Sequence, residues 1–276
     1  VISTALKVTM KRTTAIAGSF LALALLVSGV AQAGPADPDQ ESSWWSWIGT
    51  YLGGVSYGNG ADRIVGSDKL VHQQRSITGV HGIEIRGPIN VVLKQAATEK
   101  LTVHTDDNLT PLIETPVNDG ILVVRIKDGT SFRSKHAVGV TVEVPSLRSI
   151  KLLASGDVTS ADFETDILEI TIRGSGDLRI DGLRAGTVAV LIQGSGDVRL
   201  SGTAPKQGYV IEGSGDLDAG ELAGRDVAVR IAGSGDAHVW VSQTLSVDIN
   251  GSGDVHYRGN AAIRKSINGS GELRAD

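Results

Sequence analysis

The sequence predicts an all-β protein whose main domain is a single-stranded right-handed parallel β-helix, a solenoid with coils of about 18–20 residues. Three observations carry this. Seven related tetrapeptides recur: Ala154-Ser-Gly-Asp157, Gly174-Ser-Gly-Asp177, Gly194-Ser-Gly-Asp197, Gly213-Ser-Gly-Asp216, Gly233-Ser-Gly-Asp236, Gly251-Ser-Gly-Asp254 and Gly269-Ser-Gly-Glu272, with starts 20, 20, 19, 20, 18 and 18 residues apart. A fixed period of this size means stacked supersecondary units rather than a globule around one pocket. Apolar residues alternate with polar ones on both sides of each tetrapeptide, the period-2 pattern of a half-buried strand. Between the tetrapeptides no run is long enough for a helix.

From the N-terminus, Lys11 and Arg12 precede an apolar run, Ile16–Val27, which ends in Ala31-Gln32-Ala33. This is the pattern of a secretory signal peptide over residues 1–33, with cleavage expected before Gly34. Met10 stands just before the basic pair and is an alternative start. The run is too short to span a membrane. Losing Lys7, Lys11 and Arg12 takes the net charge from −5 to about −8, which argues against nucleic acid as a partner. With no Cys, disulfides, thiol catalysis and thiolate metal sites are excluded, and stability must come from packing.

Residues 34–74 form a Trp-rich leader or cap. Trp44, Trp45 and Trp47, with Tyr51 and Tyr57, hold half of the ten mature aromatics. They would cover an open end of the solenoid, form a leader, or touch a membrane interface or glycan, since Trp favours such boundaries.

The β-helix domain is expected over 75–276, with irregular coils to about residue 150. Ile83–Arg86, Ile89–Gln95, Leu101–Thr105, Gly120–Ile126, Val138–Val144 and Ser149–Leu153 read as short strands. Gly87-Pro88, Asn118-Asp119-Gly120 and Asp128-Gly129 supply turn chemistry between them. From there the columns become regular. Two residues before each tetrapeptide stand Leu152, Ile172, Ile192, Ile211, Ile231, Ile249 and Ile267. Directly after the acid stand Val158, Leu178, Val198, Leu217, Ala237, Val255 and Leu273. At roughly 4.8 Å per coil, these would stack as one continuous core that no coil could hold alone.

The repeated Gly-Ser-Gly-Asp with flanking Ile, Val and Leu resembles the bacterial head GIN domain family of auto-transporter adhesin-type proteins. So do the stretch from Arg75 to Gln95 and Val144-Pro145-Ser-Leu147 leading into Ile150. The resemblance covers about residues 75–276 and implies an exported or envelope β-helix with no established activity and no catalytic residues. Auto-transporters carry a C-terminal translocator barrel. This sequence ends at Asp276 within a repeat, so periplasmic residence is expected, with the cell surface or extracellular space as alternatives.

Asp157, Asp177, Asp197, Asp216, Asp236, Asp254 and Glu272 should line up along one edge, where like charges about 4.8 Å apart repel by roughly 1 kcal/mol in water and several times more near protein. Bend amides and hydroxyls would offset this as a hydrogen-bonded ladder. So would a basic stripe two residues on: Arg179, Arg199, His238, His256 and Arg274. Calcium or a bound ligand are the alternatives. A cation would bind first at Asp216 with Asp218, which lack the local basic partner. His238 and His256, with Trp240 and Arg258 beside them, read as surface packing with a cation–π contact.

No His-Glu-x-x-His, Gly-x-Ser-x-Gly elbow or phosphate loop leading into a helix is present, and no metal or cofactor is expected. The leading reading is a non-enzymatic exported β-helix presenting a repetitive surface to an envelope component or glycan. The rival is a carbohydrate-active β-helix enzyme with paired carboxylates, which should break the repeat with an inserted loop. A third reading is end-to-end or side-by-side self-association. Glu272, Arg274 and Asp276 place charges on the terminal coil, as natural sheets do to block edge pairing.

Overall fold

A computed structural model of the chain describes residues 54–58 and 63–276. The expected signal peptide and Trp44, Trp45 and Trp47 lie outside the described residues. Of the described residues 63% are strand, and they wind a β-solenoid of about 6 turns; the one helical element among them is a 3-10 turn at Thr110–Leu112. This is the expected fold class.

From Ser149 onward each coil lies on the one before it, in parallel register. Leu152 pairs with Ile172, and the column continues through Ile192, Ile211, Ile231, Ile249 and Ile267. The residues after the acid stack likewise, from Val158 through Leu178, Val198, Leu217, Ala237 and Val255 to Leu273. These columns are buried as far as Val255, while Ile267 and Leu273 in the last coil are partly covered. Each buried Ile or Leu contributes roughly 1.5–3 kcal/mol, and a second coil must be present to realise it. Tyr209 occupies a position that is Ile or Val in neighbouring coils. Its hydroxyl donates to Gln207 Oε1 at 2.9 Å, and Gln207 in turn donates to the Ala204 and Leu222 carbonyls, so the larger side chain brings no unpaired polar atom.

The sequence also predicts a second bend in each unit, after the strand that follows the tetrapeptide and often at its own Gly (Gly182, Gly202, Gly220, Gly259); in the structure it is less of a bend than that. Strands Leu178–Ile192, Leu217–Ile231 and Ala237–Gly251 run through it, and register shifts fall there. Bulges of this kind re-aim a strand without ending it. They absorb the changes in coil length: Ala219 pairs with Val239, 20 residues on, but Asp226 pairs with Thr244, 18 residues on.

The six upstream strands read from the alternation sit within a residue of their expected ends, but they are joined by strands that were not expected, not all are coils, and the stack does not follow chain order. Gly82–Arg86 and Ile89–Gln95 form the coil beneath Ser149–Leu152 and Val158–Ala161. Ile121–Ile126 and Val138–Val144, later in the chain, pair on its opposite side. Antiparallel strands then close this end. Lys100–Asp106 lies on Val138–Val144, Leu70–Arg75 lies on Lys100–Asp106, and Ile113–Glu114 and Val117–Asn118 lie on Ile121–Ile126. A reversed strand ends a parallel stack by taking up its hydrogen bonds without offering the next coil its geometry. A small separate sheet pairs Phe132–Ser134 with Val55–Tyr57 and Ile64–Val65.

Candidate functional site: the Gly-Ser-Gly-Asp edge

The tetrapeptides form one edge of the solenoid, and the reason for each residue is visible in the stacking. A Cβ on Gly176 would stand well inside contact distance of the Gly156 carbonyl oxygen, one on Gly196 of Gly176, and one on Gly215 of Gly196. The first glycines repeat this from Gly174 upward. Close approach of one backbone to the next excludes a side chain here; of all these glycines only Gly269 has positive φ. The Ser between them faces solvent in every coil. Its amide donates to the first glycine one coil below, as in Ser195 N–H to Gly174 O at 2.9 Å and Ser214 N–H to Gly194 O at 3.0 Å.

The acids form a ladder of carboxylate-to-amide bonds. Asp157 Oδ1 accepts from the Asp177 amide at 3.1 Å, Asp177 from Asp197 at 2.9 Å, Asp197 from Asp216 at 2.8 Å and Asp216 from Asp236 at 2.8 Å. Asp236 accepts from Asp254 at 2.7 Å and Asp254 from Glu272 at 2.8 Å. The base is Asn90, whose Oδ1 accepts from the Asp157 amide at 3.1 Å. Sequence reasoning missed Asn90 because its coil has no tetrapeptide. The available signal was its place directly before Val91, which stacks under Val158.

The basic stripe meets the acidic column as expected only at Arg274, while Arg179 and Arg199 turn to acids beside the column. Arg199 reaches Asp218 of the next coil at 3.4 Å, so Asp218 has a basic partner after all. Arg179 pairs with Asp181 at 2.8 Å, and Arg274 with Glu272 at 2.8 Å. Asp218 also accepts from the Gly220 amide at 3.3 Å. At the base, burial pushes the Asp157 carboxyl above its ordinary value, against the lowering effect of the Asp177 amide; the Asp177 charge adds to the rise. The His238 and His256 rings stack at 4.8 Å, and the Arg258 guanidinium lies 4.4 Å from the Trp240 ring centre. This is the packing expected for that patch.

A second polar cluster was not legible in the sequence. Asp68, Asp106 and His136 bring their ligand atoms within 4.8 Å of one another. The buried Asp106 carboxylate already accepts from His136 Nδ1 at 2.7 Å and from the Ser134 hydroxyl at 2.7 Å, and Asp68 accepts from Lys135 Nζ at 2.5 Å. A cation would have to displace the Lys135 ammonium and the His136 hydrogen bond, so the arrangement is that of a polar clamp. It ties the end of Lys100–Asp106 to the small sheet. Its members come from three separated segments with no shared period. Beside it lies a groove of about 630 Å³ lined by Val55, Ser56, Gly66 and Arg133 among others.

The family described as "Putative auto-transporter adhesin, head GIN domain" matches over residues 80–261. Among solved structures, a putative adhesin from Bacteroides fragilis is 27% identical, with a TM-score of 0.74 over 77% of this chain and 100% of that one. A putative adhesin from Parabacteroides distasonis is 23% identical, with a TM-score of 0.61 over 78% of this chain and 100% of that one. A putative lipid binding protein from the same species is 23% identical, with a TM-score of 0.66 over the same shares. No curated protein matches the sequence.

Proposed function

Because the chain belongs to the auto-transporter adhesin, head GIN domain family, we propose that it is an exported, non-enzymatic β-solenoid that presents its Gly-Ser-Gly-Asp edge for binding or adhesion in the bacterial cell envelope. The observation that carries this is the regularity of the edge. From Ser155 to Ser270 an exposed hydroxyl recurs once per coil, beside a carboxylate held by the next coil's amide. Equivalent groups at roughly 4.8 Å intervals suit a repeating partner, such as an envelope polymer or glycan, held by many weak contacts at once. The signal-peptide pattern read over residues 1–33 supports export, and the periplasm is the compartment we favour. The enzymatic rival draws no support from these coils, since the tetrapeptides succeed one another without an inserted loop.

The test is a binding series with the mature chain, from Gly34, against immobilised peptidoglycan fragments, lipopolysaccharide, neutral glycans and lipid vesicles. Ser195, Ser214 and Ser234 changed together to Gln would crowd the edge without touching the stacked backbone. Binding to at least one envelope component, weakened roughly tenfold or more in the triple variant, is expected. No binding to any of them, or equal binding by the variant, would refute the proposal. Release of new sugar ends from a polysaccharide would favour the enzyme.

A further inference from the structure

We propose that the outer face of the strands leading into the tetrapeptides is a self-complementary surface, and that its partner is a second copy of this chain. The ligand edge lies at the end of these strands, and the inference does not depend on what binds there.

Water-facing sheet residues are ordinarily polar. On this face the two central coils are apolar. Ala189 and Leu191 flank buried Val190, Gly208 and Val210 flank buried Tyr209, and all four outward residues are half-exposed. In register, Ala189 stacks on Gly208 and Leu191 on Val210. Gly208 is the informative residue. The glycines of the bends are required because a Cβ would strike the coil below, whereas a Cβ on Gly208 would meet nothing within 4 Å. Its φ is not positive. A glycine inside a strand weakens it, and nothing in the monomer requires one here. The open space on its outer side is where another backbone could come close.

Charge decides the occupant. Lys151 lies two coils before Leu191 in its column, and Asp248 lies two coils after Val210 in the same column. A twofold axis lying in the plane of the face, parallel to the strands and midway between the two central coils, runs the two solenoids in opposite directions. It places Lys151 of each copy opposite Asp248 of the other, Leu191 opposite Val210, and Ala189 opposite Gly208. It also brings Arg230 of one copy over Thr171 of the other, beside Glu169. Among the described residues Lys151, Glu169 and Arg230 have no ion-pair partner within the chain. The contact is isologous, so every favourable pair occurs twice. Six coils at roughly 4.8 Å, by six residues at roughly 3.3 Å, give about 570 Å² per copy. Some 1,100 Å² in total lies near the lower limit of roughly 1,000 Å² for a specific interface, so the dimer should be weak and reversible.

Sedimentation velocity on the mature chain, across the micromolar range and at low salt, tests this. The wild type should pass from monomer to dimer. Gly208→Leu should weaken the dimer roughly tenfold or more while leaving the monomer's melting unchanged, because the new side chain has free space in the monomer. Lys151→Glu should weaken it similarly, and Lys151→Glu with Asp248→Lys should restore it. That rescue also carries the test if Gly208→Leu proves unstable. A wild type that stays monomeric throughout, or a dimer indifferent to both single changes, overturns the proposal. With Trp240 changed to Phe, a monomer whose remaining Trp fluorescence responds to Gly208→Leu would assign the face to the chain's own Trp44–Trp47 segment, and would overturn it too.

Discussion

Asp216 accepts the Asp236 amide through Oδ1 and gives its own amide to Asp197. An acceptor is needed there; a charge is not, because Asn90 performs the same role at the base of the ladder. Asp216→Ala should therefore cost roughly 1.5–3 kcal/mol, and Asp216→Asn less than about 1 kcal/mol, measured by denaturant unfolding. Calcium at millimolar concentration should move the melting temperature little, since each carboxylate has already committed one oxygen. A calcium-dependent rise that disappears in Asp216→Asn with Asp218→Asn would make the column a metal site instead. His104 gives the pH dependence. It is buried, 2.7 Å from His72 Nδ1 and 2.9 Å from the Thr141 hydroxyl. Burial first, then the His72 and Lys94 charges, lowers its pKa from 6.5 to about 4. The unfolded chain takes up this proton before the folded one does, so stability is full above 6.5 and is lost as pH falls towards 4. His104→Gln should flatten the melting temperature between those limits, and an unchanged slope would assign the acid sensitivity elsewhere. At this scale the acids were legible because they repeat, whereas Asn90 and the Asp106 clamp were not, because they do not.

Among the elements, the strands before and after each tetrapeptide were readable because parallel stacking puts like residue on like residue. One column of Ile therefore repeats what every coil needs. Ile211 lies between Ile192 and Ile231 with no exposed surface. Ile211→Asp should prevent folding by burying an unpaired charge. Arg199→Ala, at a pair whose side chains are 47% and 43% exposed, should cost about 1 kcal/mol or less. Equal losses of circular-dichroism signal on heating would mean that the inward and outward faces had been exchanged. Alternation tells which way a residue points but not which strand lies beside it. This is why Lys100–Asp106 could be located as a strand while its antiparallel pairing could not, and why Leu70–Arg75, inside the expected leader, was not read as a strand at all. The second bends were read as breaks because Gly182 and Gly202 look like turn residues. Both do have positive φ, yet the strand passes through as a bulge.

For the whole molecule, period and alternation together left little choice of fold class. A helix content above about a quarter would have contradicted it, and the described residues are 63% strand. The order of the coils was beyond reach, because the sequence upstream of Ser149 has strands but no period to number them. The coil of Ile121–Val144 lies outside that of Gly82–Gln95, although it comes later in the chain. The backbone then steps from that outer coil past the inner one to begin the regular stack at Ser149. That detour divides the protein in time as well as in space. The earlier coil has no strand on either flank when it is made, and gains the first only when residues 121–144 exist. From Ser149 on, every new coil meets a finished one. A chain released from its N-terminus would first deliver a segment that must wait, and then one that can settle rung by rung as it arrives.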